Sequence, residues 1–282
     1  MTDEQKGKRS AETLETPAAQ QSPKVPRKDA PSPHMDGVRH VVLDIEGTTT
    51  PISFVADVLF PYARTKLEAH LDAQWETDEF QADLEALRKS SREDHGDVTK
   101  VVIPDGADAK REDVRKAVVD FVTDLMDADK KVGALKQLQG HIWRAGYASG
   151  ELKGQLFDDV HAALLAWREA NVPVSIYSSG SIAAQKLLFA HSDAGDVTPL
   201  LAGHYDTTSG QKVDAESYRT IAKALELADA PESILFLTDR HGESVAADSA
   251  GWRTLLLNRP GNGKLPEDNK FPVIDDFASL HC

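Results

Sequence analysis

One cysteine, Cys282, stands in a chain of 282 residues, so no disulfide can form within it and a reducing compartment is expected. Basic residues are also in short supply: 32 Lys and Arg against 46 Asp and Glu leave a net charge of −14. This speaks against a nucleic-acid or anionic-membrane surface, because arrays of phosphate are met by basic patches. An acidic protein that handles a phosphate ester must attract it with local devices: a metal, a lysine or helix amides. No apolar run approaches the length of a membrane span, and the polar N-terminal stretch lacks the apolar segment of a secretory signal. The expectation is a soluble cytoplasmic protein with no nucleic-acid or membrane partner. The length suits one domain with an insertion, or two domains.

Large apolar side chains are scarce in residues 1–37, which carry five of the fourteen prolines. Such a segment cannot bury enough surface to offset its ordering entropy, and it reads as a disordered tail. Lys6-Gly7-Lys8-Arg9 and Lys24-Val25-Pro26-Arg27-Lys28 have the look of nuclear-import signals, but the tail's acids balance its bases. Solvated charge is the preferred reading, and the nucleus is a second location to consider.

What is abundant begins at residues 39–50. Val41, Val42, Leu43 and Ile45 read as a short strand buried inside a parallel sheet, with Asp44 and Glu46 at its carboxyl end. Open α/β sheets present their ligand crevice there. Gly47 permits a sharp turn, and three threonines follow. Two acids in this place suggest a nucleophile and a proton-transfer partner beside a metal. A strand ending in a solvated acidic turn accounts for the same residues equally well.

Residues 53–157 read as helices. Val114, Val118, Val122 and Leu125 form one stripe at helical spacing, and Leu135, Leu138, Ile142 and Trp143 form another. Residues 96–110 look like an irregular connection. His141 and Trp143 are read as packing residues rather than ligands. An insertion directly after the first strand is placed to act as a lid. From residue 158 helix and strand alternate, which implies a parallel sheet. Asp158 or Asp159 is expected to cap a helix burying Val160, Leu164 and Trp167. Strand candidates fall at 41–45, 174–177, 201–205, 234–237 and 254–257. The expected fold is α/β: a doubly wound, Rossmann-like parallel sheet of five strands. Its core comprises residues 38–52 and 158–282, with a helical cap over 53–157.

Three of these strands end in polar groups suited to a phosphate ester. Ser178-Ser179-Gly180-Ser181 sets hydroxyls and amides at a helix N-terminus, where an anion is favoured, although serines there are commonly plain N-caps. Lys212 opens the next helical segment, where a cation opposes the helix dipole and is better explained by a nearby anion. Asp239, after an apolar strand, lies in the same layer as Asp44 and would complete an oxygen site for Mg²⁺. Glu243, one turn further on, is placed either to hold Lys212 or a metal-bound water, or to act as a capping acid.

Together, strand-Asp-x-Glu-Gly-Thr-Thr, strand-Ser-Ser-Gly-Ser, Gly-x-Lys and strand-Thr-Asp-x-x-x-Glu resemble, in order, the four motifs of the haloacid-dehalogenase-like superfamily. Most of its phosphatases carry Asp two residues after the nucleophile, whereas this chain has Glu46. Asp44–Ile52, Leu135–Arg144, Ile176–Ser181, Gln185–Phe189 and Glu216–Arg219 closely resemble the enolase-phosphatase (acireductone synthase) family of methionine salvage. The likeness covers about residues 39–280. Gln211, where family members often have His, and Arg240-His241-Gly242, between Asp239 and Glu243, depart from the pattern.

The resemblance implies one Mg²⁺ per subunit and a small-molecule substrate, the phosphorylated diketone 2,3-diketo-5-methylthiopentyl-1-phosphate, which is enolised and then dephosphorylated. It also implies that Asp44 and Asp239 ligate the metal, with residue 46 contributing through its carbonyl. Ser178, Ser179 and Lys212 would bind substrate. Asp44 would attack phosphorus, and Glu46, one methylene longer than Asp, would transfer protons. A monomer is expected. The alternatives carried forward are a simple Mg²⁺ phosphomonoesterase, a dehalogenase and an inactive scaffold.

Overall fold

The computed structural model describes residues 35–280 apart from Ala107. The tail expected over residues 1–37 therefore lies almost wholly outside the described residues. Met35, counted with that tail from its sequence, buries its side chain in the core beside Val38.

Six parallel strands form one sheet in the order β3-β2-β1-β4-β5-β6. They are β1 (His40–Leu43), β2 (Val174–Tyr177), β3 (Gly203–Tyr205), β4 (Ile234–Thr238), β5 (Arg253–Leu257) and β6 (Val273–Ile274). The sixth strand corrects the expected five. With two residues, Val273 and Ile274, it is too short to show period-two alternation, and only its pairing with Leu256 and Leu257 defines it. β1 is central, pairing with β2 on one side and β4 on the other, so Leu43 faces both Ile176 and Leu237. The chain winds outward in both directions from β1, which makes the ends of β1 and β4 the switch point where such sheets open a crevice.

The strands are apolar on both faces because both are covered. Val41, Leu43, Val174, Ile176, Leu235 and Leu237 point to one face, where α6 (Asp158–Glu169) and α7 (Ile182–Ala190) bring Leu164, Trp167 and Phe189. Val42, Tyr177, Ile234 and Phe236 point to the other, against Tyr218 and Ile221 of α8 (Ala215–Ala224) and Ala246 and Ala247 of α9 (His241–Ser249). Truncating Trp167 to alanine is expected to cost about 3–5 kcal/mol, the usual range for a wholly buried aromatic.

The expected cap on α6 is absent. Phe157 occupies the cap position without a side-chain bond. Asp159 instead takes a two-point contact with Arg259, whose Nη1 and Nη2 lie 2.7 and 2.8 Å from its two oxygens.

Between β1 and α6 the chain is helical and has its own apolar core. α2 (Phe60–Gln74), α3 (Asp78–Ser91), α4 (Arg111–Asp127) and α5 (Gly133–Ser149) bury Leu67, Phe80, Phe121, Val122, Leu138 and Ile142 among themselves. The approach to α2 passes through α1 (Ile52–Phe54) and a π-helical turn, Val55–Leu59. Pro61, at the start of α2, has no N–H to continue a regular ladder. The Leu59 carbonyl is taken by the indole N–H of Trp143 at 2.8 Å, which ties this turn to α5.

Candidate active site

Asp44 follows β1 directly. The Ile45 N–H donates to its Oδ1 at 2.7 Å, and Lys212 Nζ lies 2.6 Å from the same oxygen. Lys212 also reaches Glu243 Oε2 at 2.7 Å. Thr238, the last residue of β4, donates its hydroxyl to that Glu243 oxygen at 2.8 Å and stands 3.3 Å from Asp44 Oδ2. Asp44 and Lys212 are only 5% and 8% exposed, so this is a buried ionic group with one cation between two acids. The anion expected near Lys212 is thus supplied by the protein's own carboxylates. Glu243 holds Lys212 and is not a capping acid. Residues 240–242 form no extra loop: α9 begins at His241, and the Arg240 N–H donates to Thr238 Oγ1 at 3.1 Å.

Lys212 reaches this position through backbone and ring contacts rather than through its helix. It precedes α8, its carbonyl accepts the Tyr218 hydroxyl at 2.7 Å, and its ammonium lies over the Tyr177 and Phe236 rings at 5.7 and 5.9 Å. Burial alone would lower its pKa, but the charges of Asp44 and Glu243 outweigh that and raise it. Burial, together with repulsion from Asp44, pushes Glu243 and Asp239 each up to about 7. Glu46 is also raised, by desolvation and then by Asp44, while Lys212 and Lys131 oppose the rise. Its carboxyl is open to a chamber yet walled closely by protein, which is why an exposed acid is poorly solvated.

Gly47 has φ +70°, and a Cβ there would lie 2.8 Å from the Asp239 carboxylate and 2.7 Å from Asn262 Oδ1. Only glycine lets the β1 loop pass this close to the end of β4. Asn262 donates its amide N–H to the Gly47 and Leu257 carbonyls at 2.9 and 3.1 Å. Both partners are acceptors, so the amide orientation is determined. Its Oδ1 is left buried and without a donor, on the Asp239 side. No donor reaches the Glu46 carbonyl among the described residues either.

A Mg²⁺ ion fits this set. Such an ion takes one or two carboxylates, with the remaining positions filled by carbonyl, water and substrate oxygens. Asp44 and Asp239 would supply the carboxylates and the Glu46 carbonyl a further oxygen, and Asn262 Oδ1 is an unused acceptor for a metal-bound water. Among the described residues, no three His, Cys, Asp or Glu side chains are gathered to hold a metal by themselves. A metal here would therefore depend on backbone and solvent oxygens.

Glu46, Ser178 and Ser179 line one wall of a chamber of about 610 Å³. Ser178 follows β2, its N–H donating to Tyr205 O at 3.1 Å and its Oγ accepting from the Gly180 N–H at 3.3 Å. Ser181 is the N-cap of α7. The opposite wall comes from the helical segment and is largely apolar, with Leu59, Phe60, Leu125, Met126 and Trp143. Lys136 of α5 crosses the chamber and donates to Ser179 O at 3.3 Å. Asp44, Lys212 and Asp239 are not among its walls; they lie deeper, at the strand ends.

Sequence reasoning named Asp44, Glu46, Lys212, Asp239, Ser178 and Ser179, and the structure places all six around the switch point. It did not single out Thr238, Asn262 or Lys136. Thr238 was readable as the residue before Asp239; Asn262, in a Gly/Pro/Asn turn, gave no signal. His141 is a packing residue: its Nδ1 lies 2.6 Å from the buried Asp83, on the side of α5 away from the chamber. Trp143 does more than pack, since it walls the chamber.

The profile of the haloacid dehalogenase-like hydrolases matches residues 38–251, the class to which this fold and the acids at its switch point correspond. Enolase-phosphatase E1 of Branchiostoma floridae is 48% identical over 272 residues, covering 91% of this chain and 89% of that one. A probable bifunctional methylthioribulose-1-phosphate dehydratase/enolase-phosphatase E1 of Vitis vinifera is 48% identical over 244 residues, 86% of this chain but 47% of that protein. This chain thus spans about half the length of that relative. The UTR4 protein of Saccharomyces cerevisiae superposes with a TM-score of 0.68 at 30% identity, covering 86% of this chain and 100% of that one. The chain belongs to the enolase-phosphatase E1 family of haloacid dehalogenase-like hydrolases.

Proposed function

We propose that this protein is an enolase-phosphatase of methionine salvage, converting 2,3-diketo-5-methylthiopentyl-1-phosphate to acireductone and phosphate. The observation that carries the reading is the buried Asp44–Lys212–Glu243 group set directly behind Glu46, at the mouth of a mostly apolar chamber. The phosphate occupies the strand ends, and the carbon chain extends between Glu46 and the helical wall. In this reading residues 38–52 and 158–282 form the catalytic core, and residues 53–157 a cap that keeps water from the enolised intermediate.

Asp44 is the nucleophile. Lys212 fixes its Oδ1 and contributes positive charge where a phosphate dianion would otherwise be repelled by the acids. Ser178 offers its hydroxyl and Ser179 its backbone amide to the phosphate oxygens. Glu46, whose pKa burial and Asp44 raise, takes the proton from the carbon next to the ketone and returns one to oxygen. After regaining a proton from solvent, Glu46 protonates the leaving oxygen as the Asp44 carboxylate displaces it from phosphorus. Water later frees phosphate from the aspartyl ester. Mg²⁺, held by Asp44, Asp239 and the Glu46 carbonyl, would supply charge neutralisation of the phosphate and of enolate oxygen.

Two assays test this reading. Hydrolysis of an aryl phosphate should need Mg²⁺; turnover in its absence would contradict the metal. Deuterium from the solvent should enter the diketone's carbon skeleton. Its failure to do so while phosphate is released would favour a simple phosphomonoesterase.

A further inference from the structure

Two buried glutamines face the chamber, and they differ in a way that separates a structural role from a binding one. Gln185 is 1% exposed and fully engaged: its Nε2 donates to Gly180 O at 2.9 Å and Tyr205 O at 2.8 Å, and its Oε1 meets His204 Nδ1 at 3.1 Å. That amide stitches β3 to the turn after β2. Gln139, on α5, is 4% exposed and lines the same chamber, yet its amide has no hydrogen-bond partner among the described residues. Its amide atoms are not sealed off from solvent, so they open onto the chamber, where a ligand can meet them. A leucine or methionine would serve better at this place if packing were its only duty.

The helix shows where this amide points. Lys136, Gln139, Trp143 and Tyr147 recur three or four residues apart, on one stripe of α5, and all four line the chamber. Lys136 is tied to Ser179 O and Trp143 to the Leu59 carbonyl. Gln139 is thus an uncommitted neutral amide on a wall that also carries the unpartnered Tyr147 hydroxyl and the charged Lys130 and Lys131. Such a group suits a neutral carbonyl rather than an anion, which the lysines would hold better.

We propose that Gln139 is a substrate-binding and specificity-determining residue, donating its Nε2–H to a ketone oxygen of the phosphorylated diketone. This rests on the enolase-phosphatase reading. The amide keeps its proton throughout. As the carbon proton passes to Glu46, negative charge grows on the ketone oxygen, the hydrogen bond strengthens, and Glu46 returns a proton to that oxygen to give the enol. A substrate without a ketone gains nothing from Gln139.

The test uses the full-length protein with Mg²⁺ and the near-isosteric Gln139→Met. kcat/KM is measured for the diketo phosphate and for 4-nitrophenyl phosphate, alongside the thermal midpoint. The ratio of the two kcat/KM values should fall about 10- to 100-fold, the scale of one hydrogen bond lost in a dry site. The midpoint should stay level, since no hydrogen bond within the protein is removed. Should this variant melt early, Gln139→Glu keeps the length and loses the donor, and the same fall in ratio is expected. A ratio within about twofold of wild type in the folded variant overturns the role of Gln139. A wild type that cannot turn over the diketo phosphate overturns the reading beneath it as well.

Discussion

Lys212 Nζ lies 2.6 Å from Asp44 Oδ1, and both side chains are almost wholly shielded from solvent. In the proposed site this contact is what lets an acidic protein approach a phosphate. Lys212→Met should lower phosphate release by about 10²–10³-fold, the scale seen when one preorganised charge-stabilising group is lost. The same change leaves Asp44 and Glu243 buried without their cation, so stability should drop by about 3–5 kcal/mol. Denaturant melts and a phosphate-release assay read both effects. Normal turnover by a folded variant would remove Lys212 from the site.

Asp44→Asn keeps the shape and loses the nucleophile. It should fold, since an amide can still accept the Ile45 N–H, and release no phosphate. Beryllofluoride with Mg²⁺ should raise the melting temperature of the wild type and leave the variant unmoved. A variant that still releases phosphate would end the assignment.

Glu46 stands where most phosphatases of the superfamily carry Asp. If the Glu46 carbonyl is the ligand, as proposed, Glu46→Gln should bind Mg²⁺ as before but lose turnover by about 10²–10⁴-fold. Glu46→Asp shortens the reach by one methylene, so the diketo substrate should suffer more than an aryl phosphate, whose leaving group needs little protonation. Equal losses on both, with solvent-deuterium exchange unaffected, would show that another group removes the carbon proton.

His40 yields a prediction away from the site. Burial lowers its pKa to about 4, and its Nε2 lies 2.9 Å from Ser175 Oγ. The unfolded chain takes up this proton below about pH 6.5, whereas the folded chain does so only near 4. Stability is therefore lost as pH falls through that window, by up to about 3 kcal/mol. Urea midpoints measured from pH 7 to 4 should decline less steeply for His40→Leu with Ser175→Ala. Parallel declines would mean that His40 does not contribute.

Much of this architecture was readable because the strands are short, apolar and punctuated. Val41–Ile45 and Ile234–Leu237 are dense in β-branched or large apolar residues, and each is followed by an acid within two residues, so both the sheet and its functional edge were visible. Helices α4 and α5 followed from their stripes. β6 was hidden because two residues carry no period. The α6 cap was misjudged because Asp159 gains more from Arg259, a residue 100 positions away. The link between Lys212 and Glu243 was only one of three options, since sequence spacing does not say which loops meet. Asn262 was invisible for the same reason: its meaning comes from Gly47 and Asp239, and each lies on a different strand end.

The most direct measurement is a single incubation of the Mg²⁺-loaded protein with 2,3-diketo-5-methylthiopentyl-1-phosphate, following acireductone absorbance and released phosphate together. An enolase-phosphatase yields both, with equal final amounts and with phosphate never running ahead of enolisation. Phosphate released with no acireductone formed would contradict the assignment and leave a plain phosphomonoesterase in its place.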